Sequence, residues 1–335
     1  MRSRTIFCTA LVLWMSLCAV AHAETIVLAV PGPGTLSYLP VYLAKAIGAD
    51  QTEGLELKLR YVSGGPLAMR DMMDNNSDFL AIGLPAIGAA RADDMPVVAI
   101  GQLSQTAMYV FMLRSGLKDK VRNIAQLKGR RIGTASGTST QRTMGQMMAE
   151  YLIRRAGLKS DDVQFISSGQ NRETQSAALK SATVDAIMAD EPFASELVAQ
   201  GVAIRLADLY APKQSNELLG GPIVHAALAT REDVYTQHPE TVKKVRRMFD
   251  ITLKWMNAHT PREVADKLAS QPGFDAASSR RLTDILQRNR GMFPERIDWD
   301  PQAVTTTERF FHSMANNARE SGLPFSSFVR GAPPD

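Results

Sequence analysis

The chain has 335 residues, a formal charge of +4, and two cysteines, Cys8 and Cys18, near its start. Its 38 basic and 34 acidic residues are interspersed. The longest basic runs, Arg154-Arg155 and Lys243-Lys244 with Arg246-Arg247, read as solvated helix faces and argue against a nucleic-acid partner.

Residues 1–23 carry the pattern of an export signal: Arg2 and Arg4, an apolar stretch over 6–20, then Ala21-His22-Ala23 as a small-x-small cleavage site. The expected mature chain begins at Glu24 and is periplasmic. Leu17 before Cys18 is not the small residue that precedes a lipidated cysteine, and the separated arginines do not fit a twin-arginine signal. Cleavage would remove both cysteines, which excludes thiol catalysis, disulfides and cysteine metal sites from the mature chain. The charge balance then falls to 36 basic against 34 acidic residues over about 312 residues, enough for two lobes. No second apolar stretch approaches membrane length.

The first lobe opens with a strand over 25–30, the loop Pro31-Gly32-Pro33-Gly34-Thr35, and a helix over 38–49 with Leu39, Tyr42, Leu43, Ala46 and Ile47 on one face. Residues 55–62 alternate as a strand, Ser63-Gly64-Gly65-Pro66 turns, and 67–75 is helical. Residues 79–83 and 97–101 are continuous apolar runs, as in strands covered on both faces, with a short helix over 87–92 between them. Residues 108–113 form a strand leading into the second lobe. There the pattern gives strands over 131–135, 163–167, 184–189 and 202–206 and helices over 139–156, 172–180 and 192–200. A polar loop over 211–222 precedes a return strand over 223–229. The remainder is helical, with apolar faces expected to cover the first lobe, and the tail from 326 is expected to fray. The resulting lobes are 24–110 plus 226–335, and 111–225.

The two halves repeat. Asp78 to Pro85 and Asp185 to Pro192 both run from an Asp, through an apolar strand, to a Pro seven residues on. Upstream, each half has a strand that empties into a Gly/Ser/Thr loop and then a helix. Strand ends facing helix N-termini are where α/β sheets bind small molecules, so two such half-sites predict two lobes closing on one ligand.

No G-x-S-x-G elbow, no phosphate loop of the G-x-x-x-x-G-K-[ST] type and no His pair at i,i+4 occurs. His225 reads as a structural histidine of the return strand. Ligand contact is expected first at Ser136-Gly137-Thr138-Ser139-Thr140, where hydroxyls and free N–H groups gather before a long helix; the same residues also suit a plain N-cap. Gly34, Thr35, Ser37 and Tyr38 form the matching loop of the first half, in which Tyr38 either walls the ligand or packs. Leu84 and Pro85 follow the first repeat strand, and Gln102 offers a neutral donor near the hinge. Arg172 either pairs with a ligand carboxylate or sulfonate or lies on the surface. Asp190 and Glu191 either accept from ligand donors or favour the following helix N-terminus. Tyr38 and Phe193 offer apolar walls. The balance leans to an organic anion, and to a zwitterion or polar heteroaromatic if both charge sets line the cleft.

Tyr38-Leu39-Pro40-Val41-Tyr42-Leu43-Ala44-Lys45, Glu53-Gly54-Leu55 and Ser77-Asp78 resemble the first lobe of ABC-importer solute-binding proteins of the nitrate, sulfonate, taurine and thiamine-pyrimidine-precursor group. Leu127-Lys128-Gly129-Arg130-Arg131-Ile132-Gly133, Gly157-Leu158, Asp162-Val163, Ala177-Ala178-Leu179, Val184-Asp185-Ala186 and Glu191-Pro192 resemble its second lobe. The resemblance implies an α/β, two-lobed periplasmic binding protein fold of type II with two crossover strands, and a ligand clamped in the cleft. It also implies a transmembrane permease and its ATPase as partners of a monomeric chain. It places the ligand loops on Gly34 to Tyr38, Gly83 to Ala86, Ser136 to Thr140 and Asp190 to Pro192. The same family includes a pyrimidine synthase with a Cys cluster and pyridoxal phosphate; a mature chain without Cys departs from it, so no cofactor, metal or catalytic residue is expected. The alternatives are an exported sensor or enzyme on the same fold, or binding of a pyrimidine-type thiamine precursor.

Overall fold

A computed structural model describes residues 23–134, 143–169, 171–274 and 276–334. The strands are β1 (Glu24–Pro31), β2 (Leu55–Val62), β3 (Phe79–Gly83), β4 (Val97–Ser104), β5 (Tyr109–Arg114), β6 (Arg131–Thr134), β7 (Gln164–Ser167), β8 (Ala186–Asp190), β9 (Ala203–Asp208) and β10 (Ala226–Arg231). They form two five-stranded sheets, ordered β2-β1-β3-β10-β4 and β7-β6-β8-β5-β9. In the first, β1 runs parallel to β2 and β3, and β10 lies antiparallel between β3 and β4. In the second, β6 runs parallel to β7 and β8, and β5 lies antiparallel between β8 and β9. The two sheets therefore share one topology, as the sequence repeat predicts.

The repeated aspartates explain part of that likeness. Asp78 Oδ2 accepts from the Val27 N–H at 2.8 Å, while the Asp78 N–H donates to the Val27 carbonyl at 2.9 Å. Asp185 does the same with Arg131, at 3.0 and 2.7 Å. Each carboxylate thus fastens the entry of a repeat strand to its parallel neighbour. Burial follows strand position. All residues of β3 and β4 are buried, whereas β2, at an edge, hides Leu55 and Leu57 and exposes Glu56 and Lys58.

Four expectations from sequence are corrected. Residues 212–219, taken for loop, form the helix Pro212–Leu219, whose first turn accommodates Pro212. The helix expected from 139 is described as Met144–Arg155, with Thr143 as its N-cap accepting from the Gln146 N–H. The tail does not fray: Phe325 and Phe328 are buried in the core, and the main chain of Phe328 and Arg330 bonds to Ala99 in β4. A run of polar and small residues hides this, because the anchor is two phenylalanines and main-chain bonds that no local pattern shows.

The C-terminal helices also do more than cover the first lobe. In the helix Pro301–Ser313, Phe311 joins the first lobe's core while Phe310 packs its ring against Tyr151 of the second, centroids 5.1 Å apart. The Thr307 hydroxyl of that helix accepts from the Val224 N–H in the return crossing at 2.8 Å. Among the described residues no helix is long and apolar enough to cross a membrane.

Candidate functional site

Between the sheets lies a cavity of about 450 Å³, within the range of small-molecule sites. From the first half it is walled by Pro31, Gly32, Pro33 and Thr35 after β1, Tyr38, the Gly64-Gly65-Pro66 turn after β2, and Gly83 and Ala86 after β3. From the second it takes Tyr109 of β5, Thr134 of β6, Thr143 to Gly145, Asn171 to Glu173, Gln175, Met188, Asp190 and Phe193. The strand ends of both repeats thus converge, as the half-site reading requires.

The loop after β1 is shaped by glycine. Gly32 and Gly34 have φ of +58° and +75°, a region that Cβ disfavours. A Cβ on Gly34 would lie 2.6 Å from the carbonyl oxygen of Gly273, so two stretches of main chain touch here. The Tyr42 hydroxyl donates to the Gly32 carbonyl at 2.7 Å and anchors the loop from below. Across the cleft, Arg172 Nη2 donates to the Gly34 carbonyl at 3.1 Å. Gly83 faces Met144: an added Cβ would come within 3.2 Å of the methionine Cβ. The lobes are therefore in contact around the cavity.

Asp190 ends β8 and stands opposite Tyr109 in the β5–β8 register. Burial raises its carboxyl above the usual range although the Arg172 charge opposes this, and burial together with the Asp190 carboxylate raises the phenols of Tyr38 and Tyr109. Beneath Tyr109 lies His225, ring centroids 4.9 Å apart, with its Nε2 bonded to Ser37 Oγ at 2.8 Å. Burial pushes the His225 imidazole down to about 4, so the ring is neutral at neutral pH.

The expected residues separate accordingly. Thr35, Tyr38, Arg172, Asp190 and Phe193 line the cavity, and Gly34 meets Arg172 at its rim. Ser37 does not: it is buried against His225. Leu84 and Pro85 turn into the first lobe's interior, because the helix Leu84–Ala92 starts directly at the strand end. Gln102 faces away, its Oε1 accepting from the Asp300 N–H at 3.2 Å before the helix Pro301–Ser313. Glu191 is also buried away from the cavity, where its carboxylate accepts from Arg205 Nη2 and from the N–H and hydroxyl of Ser195, both at 3.1 Å. Ser136, Gly137, Thr138, Ser139 and Thr140 lie outside the described residues.

Tyr109, Thr143, Met144, Asn171 and Met188 were not singled out as ligand contacts. Thr143 and Asn171 are N-caps whose side chains accept from Gln146 and Thr174 N–H groups, a signal visible in sequence; Tyr109 enters only through strand pairing that no local pattern reveals. Among the described residues no group of three or more His, Cys, Asp and Glu side chains could hold a metal ion.

Two α/β lobes with one topology and a cleft between their strand ends define a two-lobed ligand-binding fold of the periplasmic binding protein type. Residues 36–263 match the family model described as NMT1/THI5 like, and the chain belongs to that family. A Bacillus subtilis protein named as a binding protein, YtlA, is 23% identical over 276 residues, covering 81% of this chain and 76% of its own. The alkanesulfonate-binding protein SsuA of Xanthomonas axonopodis pv. citri superimposes with a TM-score of 0.71 at 16% identity, covering 92% of this chain and 99% of SsuA. The periplasmic nitrate-binding protein NrtA of Synechocystis PCC 6803 gives 0.69 at 14%, covering 92% and 86%. The desulfurization enzyme DszB gives 0.60 at 17%, covering 89% and 98%, so the fold also carries an enzyme.

Proposed function

We propose that the chain is the exported substrate-binding component of an ABC importer, capturing a small organic solute by closure of lobes 24–110 plus 226–335 and 111–225. Its signal segment would be cleaved before Glu24, and the monomeric, periplasmic protein would deliver the solute to a transmembrane permease driven by its ATPase. The observation that carries this reading is the convergence of both sets of strand ends on one cavity of about 450 Å³, bridged by Arg172 to the Gly34 carbonyl. Arg172 and Thr143 at a helix N-terminus suit an anionic group on the solute.

The enzyme alternative has one foothold, the Ser37–His225 pair at 2.8 Å. Both are buried, neither lines the cavity, and His225 Nδ1 has no hydrogen-bonding partner among the described residues to orient it as a base. A binding role therefore fits better than catalysis. The test is thermal melting of refolded, ligand-stripped protein against sulfonates, carboxylates, amino acids and pyrimidines. A ligand at 100 times its Kd adds about 2.7 kcal/mol of stability. A saturable upward shift with unchanged ligand is expected; turnover of a compound would favour the enzyme, and no shift across the panel would refute solute capture.

A further inference from the structure

Three polar groups face the cleft without a described protein partner. Apart from the residue's own N–H, no described donor reaches the Asp190 carboxylate, and neither the Tyr38 nor the Tyr109 hydroxyl bonds to a described acceptor. Each lines the same cavity, with the Phe193 ring three residues beyond Asp190. A carboxylate left in such a place is expensive unless something donates to it. The cavity's one described cation does not: Arg172 forms no ion pair with Asp190 among the described residues and instead spans the cleft to the Gly34 carbonyl. Elsewhere the fold pairs its buried acids. Asp185 takes two guanidinium groups and a main-chain N–H, and Glu191 takes Arg205 and Ser195. Asp190 thus feels the Arg172 charge but, unlike Asp185 and Glu191, forms no ion pair among the described residues.

The sequence repeat sharpens the point. Asp190 holds the position that Gly83 holds in the first half, so the second half places a charge where the first has no side chain. Aromatic rings beside an unpaired carboxylate suit a cationic nitrogen best, since it is attracted to aromatic rings as well as to the acid.

We propose that Asp190, with Tyr38, Tyr109 and Phe193, forms a subsite for a protonated amino group of the ligand, making Asp190 a specificity-determining residue of the cleft. With Arg172 at the rim, the ligand is then a zwitterion or an organic cation and not a simple anion. This assignment rests on the solute-binding reading.

The test uses calorimetric titration of refolded full-length mature protein with matched probes: 2-aminoethanesulfonate against 2-hydroxyethanesulfonate, 4-aminobutyrate against butyrate, and benzylamine against benzyl alcohol. In at least one pair the amino member should bind tenfold or more tightly. Asp190→Asn should erase that preference, and Asp190→Glu, which keeps the charge, should retain part of it. Affinity for the amino member should fall on acidification in the wild type and not in Asp190→Asn. Saturable binding with no amino preference, or a preference that survives in Asp190→Asn, would overturn the assignment while leaving solute capture standing. No saturable binding by any probe would sink both.

Discussion

The two halves of this molecule have one topology and divide the labour of the cleft. The wall contributed by the first half is proline, glycine, alanine, Thr35 and Tyr38; among its described lining residues no carboxylate or basic group occurs. The wall contributed by the second holds Arg172, Glu173 and Asp190, with Thr134, Thr143, Asn171 and Gln175. Matched positions make the contrast concrete. Gly83 corresponds to Asp190, and buried Leu84 corresponds to buried Glu191. A repeated backbone can therefore keep its strand pairing while one copy supplies shape and close approach and the other supplies charge.

The largest expected effect breaks the Leu84–Glu191 comparison. Glu191→Leu gives the second half the first half's residue but leaves Arg205 with only Asp208 and the Ser195 hydroxyl. Because Arg205 is a quarter exposed, the loss should be about 2–3 kcal/mol in urea unfolding, and adding Arg205→Met should recover most of it. Next come the two staples. Asp185→Asn should lose about 2 kcal/mol and Asp78→Asn about 1 kcal/mol, since the first removes charge-assisted bonds to two arginines. Burial alone would raise the Asp185 carboxyl, but the Arg131 N–H and the Arg114 and Arg131 guanidiniums hold it below the usual range. Its stabilisation is therefore present at neutral pH and lost as pH falls through that lowered value, so unfolding followed from pH 7 into acid should be flatter for Asp185→Asn.

Gly83→Ala presses on Met144 across the cleft. It should weaken ligand binding by about tenfold, about 1.4 kcal/mol, with little change in the unfolding midpoint, because the lobes can part without unfolding. The smallest effect concerns Asp190. Its carboxyl is raised by burial, so the folded state is penalised as pH rises through that value. Ligand-free Asp190→Asn should melt higher than wild type at pH 7, and the gain should vanish in acid.

Much of this architecture was legible in the residues. Apolar runs gave β3 and β4, alternation gave β2, and the Asp-to-Pro repeat gave two equivalent halves. Arg172 and Asp190 could be named because both sit where a strand end meets a helix start. Glu191 could not be told from Asp190 in that way: adjacent residues at a strand end point to opposite sides, and which side is the cleft depends on the neighbouring strand. Gln102 misled for the same reason, since its partner Asp300 is 198 residues away. The loop over 211–222 misled because Pro212 suits both a turn and a helix start.

The placement of β10 has a consequence for how the chain is made. The second sheet takes all its strands from one continuous stretch, Tyr109 to Asp208, whereas the first needs β10 and the tail around Phe325 and Phe328 to be complete. Because the chain emerges N-terminus first, the second sheet is fully available while the first still lacks its antiparallel strand. Until residue 231 emerges, β3 and β4 have no partner between them, and a chaperone that holds unfinished edges would find them there.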